Sequence, residues 1–401
     1  MIKKSSIFCT ASFLAFIALA AVVTTVRPKE TYSYYENRSL SAFPQYTAES
    51  VNNGSYFSAV EDYCIDHAAG RNTILKLKTV LDKDILKKPV VNDIVVTDHV
   101  LLEAHDYEYI SEEKIHESAE WYARQLGELA DLIESYGGYY CYVGIPCQTD
   151  YYADAYPEYL ENFANRTAVT IDAFSSYAKE YGVNYLDMSR IADENGNPEW
   201  FSSTTDNHYS LMGAYLTYTS IIDKINADTG SSLTYPLEEK GEILFHKLEN
   251  RYIGSRERKL FGLSDIRDSL YTASFAEDIP FTRTDLGNPS PSVVYALPND
   301  TATSVFYTLY MGGDCPETVI DTNRPDLPDI LIYGDSFTNA VECLAYYSFD
   351  TMRAVDLRHY KEMTLAEYIA LYQPDIVIGI RDYENFITPY FNGDVFGRLA
   401  E

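Results

Sequence analysis

Cysteine is scarce in this chain of 401 residues, and its spacing follows no recognisable pattern. Of the six cysteines, Cys9 lies inside an apolar N-terminal run, and none stands in a Cys-x-x-Cys pair. Disulfide-stapled small domains and zinc sites depend on dense or paired cysteines. We therefore expect mostly buried thiols with at most one or two bridges, and neither a disulfide framework nor a metal centre.

Basic residues are also few, with 31 Lys and Arg against 60 Asp and Glu, which gives a formal net charge of -29. A body of this charge repels phosphate backbones and anionic lipid headgroups, so nucleic acid is excluded as a partner. The content of 46% apolar and 23% charged residues is that of a globular protein. The length allows one large domain or two modest ones.

Long hydrophobic runs are absent, with one exception at the N-terminus. Ile7 to Val26 carries no charge and lies between Lys3-Lys4 and Arg27. Twenty residues at helical rise span roughly 30 Å, about one bilayer core. A cleaved signal peptide has a shorter apolar run, although Ala18-Leu19-Ala20 resembles a cleavage site. We predict that residues 1–29 are an uncleaved anchor with an extracytoplasmic body, or a signal segment of a secreted protein.

The remaining chain shows an α/β pattern. Residues 30–89 predict a tether followed by a helical stretch over Tyr56 to Leu86. From residue 90 to 401, short apolar runs alternate with helical patterns, which favours a doubly wound parallel sheet of the flavodoxin-like kind. Residues 226–326 break this rhythm, because turn residues separate β-prone pieces such as 292–295 and 304–310. They predict an inserted, mostly antiparallel β subdomain.

A serine follows one of the predicted strands. Ile330 to Tyr333 runs directly into Gly334-Asp335-Ser336-Phe337, and an apolar helical face comes next. A serine at the start of a helix lies near unpaired N–H groups that can stabilise a developing oxyanion. The alternative is a glycine turn in which Asp335 or Ser336 serves only as a helix N-cap.

Such a serine needs a base, and the base needs an orienting carboxylate. In Asp206-Asn207-His208-Tyr209, residues two apart in an extended loop point to one side, so Asp206 and His208 can face the same cleft. The same spacing occurs in Glu103-Ala104-His105, so the pattern alone is weak. His359, which follows the strand ending at Asp356, is the rival histidine.

Several motifs together resemble the DHHW proteins, which are similar to the SGNH-like alginate O-acetylation proteins. They include Glu36-Asn37-Arg38, Gly70-Arg71, the Asp206 to Tyr209 stretch, the Gly334 to Phe337 turn and Val355 to Tyr360. The Asp/His block precedes the serine, as in the permuted acetylation group and unlike ordinary SGNH esterases. The name-giving Asp-His-His-Trp is Asp-Asn-His-Tyr in this chain, which puts the substrate contacts in doubt.

The resemblance implies an SGNH-like domain with Ser336 as nucleophile, His208 as general base and Asp206 as its orienting carboxylate. It implies an O-acetyltransferase that acts on a cell-surface or secreted polysaccharide through an acyl-serine intermediate, without a cofactor. The acetyl donor would come through a multi-pass membrane acyltransferase. Two alternatives remain open: a carbohydrate acetylesterase with the same triad, and an inactive glycan-binding or scaffold protein.

Five further residues are candidates for substrate or oxyanion contacts: Gln148, Tyr209, Asn339, Arg358 and Tyr360. Gln148 leaves a predicted strand at its carboxyl end, where open α/β sheets bind ligands. It is equally compatible with an ordinary polar loop, and Arg358 with a structural ion pair.

Overall fold

The computed structural model describes residues 4–36, 38–104, 110–162 and 164–399. Asn37 and His105, which belong to motifs noted above, lie outside the described residues. The chain forms two compact units, one of residues 1–96 with 255–265 and one of residues 97–254 with 266–401. The sequence predicted divisions at residues 29 and 89, and the N-terminal unit also includes the distant segment of residues 255–265.

The N-terminal unit begins with a long apolar helix. Ile7–Val26 is long and apolar enough to cross a membrane and none of it is buried, although a signal sequence would meet the same test. The described elements of this unit are α1 (Lys4–Val26), β1 (Tyr32–Ser33), β2 (Arg38–Ser39), α2 (Ala48–Asn52), α3 (Ser55–Asp66), α4 (Arg71–Val80), a π-helical turn (Leu81–Ile85), β3 (Val90–Val91), β4 (Ile94–Val96) and α10 (Ser255–Lys259).

The helical stretch predicted over Tyr56 to Leu86 consists of two helices and the π-helical turn. Gly70 adopts a φ of +75°, in the left-handed region that favours glycine, and precedes the first residue of α4. The end of α3 is fixed by Asp66, a buried carboxylate that accepts from the Arg38 guanidinium (2.9 Å to Nη1) and from the Ser41 amide (2.9 Å). The break between α3 and α4 therefore lies beside the ion pair of Asp66 with Arg38.

The second unit is built on an eight-stranded sheet. Its order is β11-β10-β12-β14-β13-β15-β6-β7. The elements of this unit are β5 (Leu101–Glu103), α5 (Glu112–Glu134), β6 (Tyr139–Ile145), α6 (Gln148–Tyr151), α7 (Ala164–Glu180), β7 (Tyr185–Asp187), α8 (Met188–Glu194), α9 (Leu211–Thr229), β8 (Ile243–Lys247), β9 (Tyr271–Phe275), β10 (Thr282–Asp285), β11 (Asn288–Ser290), β12 (Glu317–Asp321), β13 (Ile330–Gly334), α11 (Thr338–Ala345), β14 (Thr351–Val355), α12 (Leu365–Tyr372) and β15 (Ile376–Asp382).

The central strand β13 shows why the sheet is doubly wound. It pairs in parallel with β14 on one side and β15 on the other. Its side chains alternate between two cores, since Ile330 and Ile332 belong to one apolar cluster and Leu331 and Tyr333 to the other. Both faces are covered, so the strand reads as a continuous apolar run. The predicted α/β class is confirmed.

Most of residues 226–326, the segment predicted to form an inserted, mostly antiparallel β subdomain, lies in the second unit. Strands β10, β11 and β12 extend the central sheet in antiparallel fashion, with β12 paired to β14. Residues 304–310 form no long strand, because a 3-10 turn occupies Tyr307–Leu309.

Candidate active site

The turn of residues 335–337, which carries Ser336, connects β13 to α11. Strand β13 ends at Gly334, where a side chain would lie 2.2 Å from the carbonyl oxygen of Ile380, so the close approach of β15 requires glycine. Asp335 turns the chain by accepting from the Phe337 amide at 3.0 Å. Ser336 therefore lies at the carboxyl end of a central parallel strand. Its backbone N–H bonds to no other described residue and is available to an oxyanion.

The histidine loop is held by its own backbone and by Ser203. The Ser203 hydroxyl accepts from the Asp206 amide at 3.0 Å, and the Ser203 amide donates to the carbonyl of His208 at 3.2 Å. Ser210 then caps α9 by accepting from the Gly213 amide at 3.0 Å. These hydrogen bonds fix both ends of the loop independently of the side chains of Asp206 and His208.

Three side chains meet in one hydrogen-bonded chain. The Ser336 Oγ lies 2.7 Å from Nε2 of His208, and the other ring nitrogen, Nδ1, lies 2.6 Å from Oδ1 of Asp206. Asp206 also accepts from the His208 amide at 3.2 Å, which locks the carboxylate against its histidine. Both residues are buried. The structure thus brings together the three residues that the sequence suggested, although 128 positions separate serine from histidine.

Aromatic rings enclose the imidazole. Tyr307 stacks on His208 with a centroid distance of 3.7 Å and an interplanar angle of 5°, and Phe337 lies 4.9 Å away. The Tyr307 hydroxyl is buried without a hydrogen-bond partner among the described residues. A flat π face at this distance holds the ring orientation and stabilises an imidazolium. The sequence analysis missed Tyr307, since no local pattern links it to His208.

Buried carboxylates lie beside the turn that carries Ser336. Burial raises the pKa of Asp335 and, with the neighbouring Asp335 charge, raises the pKa of Asp382 to about 8. Burial likewise raises the pKa of Glu342 to about 7. A protonated Glu342 can donate to the Thr338 hydroxyl, which in turn donates to the Asp335 carbonyl at 3.0 Å.

Two of the five further candidates, Gln148 and Tyr209, make hydrogen bonds within the protein. Gln148 is fully buried, and its side-chain amide donates to the Leu101 carbonyl at 2.8 Å, while its backbone amide donates to Asn207 at 3.3 Å. Tyr209 is buried and its hydroxyl donates to the Phe337 carbonyl. Both side chains thus make hydrogen bonds within the protein. These residues join the histidine loop to its surroundings.

The remaining candidates form a separate cluster. The Asn339 amide donates to Asp314 at 3.0 Å, and Arg358 binds both Asp314 (2.9 Å) and Asp356 (2.6 Å). Arg358 thus forms a structural ion pair, which the sequence had left open as an alternative to a substrate contact. Tyr360 is buried against Tyr368 in the second core. None of these side chains makes a hydrogen bond to the described atoms of Ser336 or His208.

His359 does not compete with His208 for the serine. Its Nε2 lies 4.0 Å from Asp314, its side chain is half exposed, and it makes no hydrogen bond to Ser336 among the described residues.

Two groups of side chains have the composition of a cation site. Cys147, Asp382 and Glu384 form one, and Asp314, Asp356 and His359 form the other. In the second group, the Arg358 guanidinium already neutralises both carboxylates. In the first, burial raises the pKa of the Cys147 thiol well above its usual value, and the thiol donates to Asp150 at 2.9 Å. Neither arrangement favours a resident metal.

Comparisons with known proteins identify the fold. No protein-family model matches the chain, and no curated protein matches it. Among solved structures, Bacillus cereus PatB1 superposes with a TM-score of 0.60 at 21% identity, over 73% of this chain and 96% of that one. PatB1 with a sulfonyl adduct gives 0.58 at 19% identity, over 73% and 94%.

A DHHW family protein from Eubacterium siraeum has the same fold. It superposes with a TM-score of 0.56 at 16% identity, over 74% of this chain and 93% of that one. The predicted resemblance to the DHHW proteins is therefore confirmed as a likeness of fold. The role of each residue in the site does not follow from likeness at this level of identity.

Proposed function

We propose that this chain is an extracytoplasmic O-acetyltransferase that modifies a cell-surface or secreted polysaccharide through an acyl-serine intermediate. The observation that carries the proposal is the hydrogen-bonded chain from Ser336 through His208 to Asp206, with distances of 2.7 and 2.6 Å. A serine that donates to an imidazole backed by a buried carboxylate is the arrangement that activates a hydroxyl for acyl transfer.

In the first half-reaction, the Ser336 Oγ attacks the acetyl carbonyl of an ester or thioester donor while Nε2 of His208 takes the hydroxyl proton. The Ser336 N–H, at the start of α11, stabilises the oxyanion. Collapse of the tetrahedral intermediate breaks the bond to the donor, and His208 returns the proton to the leaving group. Asp206 stabilises the transient imidazolium.

In the second half-reaction, a sugar hydroxyl attacks the acetyl-serine while His208 takes its proton. The acetyl ester forms on the sugar, and the proton returns to the Ser336 Oγ. The helix Ile7–Val26 supports a location at the membrane, where a multi-pass acyltransferase can supply the acetyl donor.

Labelling with a fluorophosphonate tests the nucleophile. The chain offers a matched control, because Ser274 also lies 2.7 Å from a histidine Nε2, that of His246, but on an exposed strand. We expect label on the wild type and on Ser274→Ala, and none on Ser336→Ala. His208→Ala should label roughly 10² to 10⁴ times more slowly. Label that persists in Ser336→Ala would refute the proposed nucleophile.

A second measurement distinguishes transfer from hydrolysis by the same triad. The full chain is incubated with a chromogenic acetyl ester and a polysaccharide oligomer. Transfer predicts acetylated oligomer in excess of free acetate, and Ser336→Ala should abolish both products. Free acetate without acetylated oligomer would identify an acetylesterase. Neither product, together with no label on Ser336, would favour a binding protein.

A further inference from the structure

One helix of the N-terminal unit is apolar on its exposed side. Ile74, Leu77 and Leu81 in α4 and the following turn are 63%, 63% and 44% exposed, and Ile85 is 68% exposed. Their spacing places them along one side of a helix. The buried positions of the same segment are polar, since they are Thr79 and Asp82. Leu75 and Val80 are only half-buried, so no apolar side chain of this segment is fully buried.

The charge of this segment is opposite to that of the chain. Residues 71–88 contain six basic side chains (Arg71, Lys76, Lys78, Lys83, Lys87, Lys88) and two acidic ones (Asp82, Asp84), so the local net charge is +4 in a chain of -29. Lys76, Lys78, Lys87 and Lys88 are exposed. A basic amphipathic helix of this kind is typical of segments that lie on a membrane surface.

The segment begins beside the end of the apolar helix α1. The Ala69 amide donates to the Thr24 hydroxyl at 3.0 Å, and Thr24 lies in the last turn of α1. The ammonium of Lys29 lies 5.7 Å from the centroid of the Tyr63 ring in α3. Within this unit, the start of α4 is therefore fixed next to the point where Ile7–Val26 would leave a bilayer.

We propose that the side chains of Ile74, Leu77, Leu81 and Ile85 insert into the headgroup region of the membrane that α1 enters, and that the flanking lysines bind anionic lipid headgroups. The exposed apolar side chains supply the insertion, the net positive charge supplies the attraction, and the contact with Thr24 holds the segment at the level of the bilayer surface. The acidic remainder of the chain is repelled by the same headgroups, so the interaction also orients the protein.

Tryptophan scanning in the reconstituted full chain tests the insertion. Leu77→Trp and the control Leu371→Trp replace leucines of 63% and 62% exposure in helices of different units. The protein is inserted into vesicles of phosphatidylcholine and phosphatidylglycerol, and the emission of the two native tryptophans in the wild type is subtracted. We expect the new tryptophan at position 77 to emit at shorter wavelength and to be quenched by acyl-chain-brominated lipids several times more strongly than that at position 371.

Equal quenching at the two positions would overturn the proposal. Emission at long wavelength would then show that position 77 lies in water, and emission at short wavelength that another protein surface covers it.

The charge contribution has its own test. The double variant Lys76→Glu/Lys87→Glu, in the Leu77→Trp background, should lose part of the quenching on vesicles containing phosphatidylglycerol and none on pure phosphatidylcholine. The same quenching with and without phosphatidylglycerol would refute the assignment of anionic headgroups. Fluorophosphonate labelling of Ser336 reports the second unit, so a failure of this proposal is distinguishable from a failure of the proposed enzyme.

Discussion

Replacing Tyr307 with leucine should slow the reaction of Ser336 without displacing the triad. The tyrosine ring lies parallel to the His208 imidazole at 3.7 Å and is itself buried. In the proposed mechanism His208 accepts the serine proton and becomes a cation, and an aromatic face beside a desolvated cation contributes about 0.5–2 kcal/mol. At about 1.4 kcal/mol per factor of ten, the loss corresponds to a decrease of roughly 2- to 30-fold.

The decrease should appear in kcat and in the rate of fluorophosphonate inactivation, because the cation forms only on the way to the transition state. KM for a chromogenic acetyl ester should change little. Tyr307→Phe is the matched control, since it keeps the ring and removes only a hydroxyl that is buried without a hydrogen-bond partner among the described residues. We expect this variant to retain the wild-type rate and at least wild-type stability.

Two results would contradict the role given to the ring. Equal losses in Tyr307→Phe and Tyr307→Leu would show that the hydroxyl takes part in the reaction. An unchanged rate in Tyr307→Leu, with the variant shown to be folded by its thermal unfolding, would show that stacking on His208 contributes nothing to catalysis.

Two further predictions concern carboxylates. Asp206→Asn should reduce the rate of Ser336 labelling by roughly 10²- to 10⁴-fold, and by no more than His208→Ala, because an amide cannot stabilise the imidazolium as the carboxylate does; a loss of less than about tenfold would contradict this role. Glu342 has a pKa raised from 4.5 to about 7 by burial, so the folded state holds its proton more tightly than the unfolded state. The stability this gives is fully present below about pH 4.5 and is lost as the pH rises through about 7. Relative to Glu342→Gln, the wild type should therefore lose roughly 2 to 3 kcal/mol of unfolding free energy between about pH 5 and about pH 8, measured by urea unfolding. A constant difference across this range would contradict the burial of a neutral Glu342.

Local sequence patterns predicted the elements that lie in the middle of the sheet. Strand β13 is apolar at every position because both of its faces are buried, and such a run is visible without knowledge of its neighbours. The serine turn was predictable for the same reason, since Gly334 and the apolar face of α11 are local features. The pairing of β12 with β14 was not predictable, because a short strand of mixed composition can join any free edge.

The aromatic support of the site shows a second limit of local patterns. Tyr307 lies in a stretch whose composition favours a strand, yet it occupies a 3-10 turn. The outcome was set by long-range packing, since its ring contacts His208 on one side and Tyr310 on another, at a centroid distance of 5.1 Å. Such contacts override the strand propensity of a residue that is buried on several sides. No spacing rule connects residues 208 and 307.

His208 precedes Ser336 in the chain, and the geometry of the site allows this order because strands β6, β15 and β13 are parallel. Strands β6, β15 and β13 are neighbours that run in one direction, so their carboxyl ends lie at the same edge. Ser336 follows β13 directly. The loop that carries Asp206 and His208 is bonded through its Asn207 carbonyl to the backbone of Gln148, which follows β6. A shared edge can collect a base and a nucleophile from either order along the chain, so the position of His208 before Ser336 imposes no cost on the site.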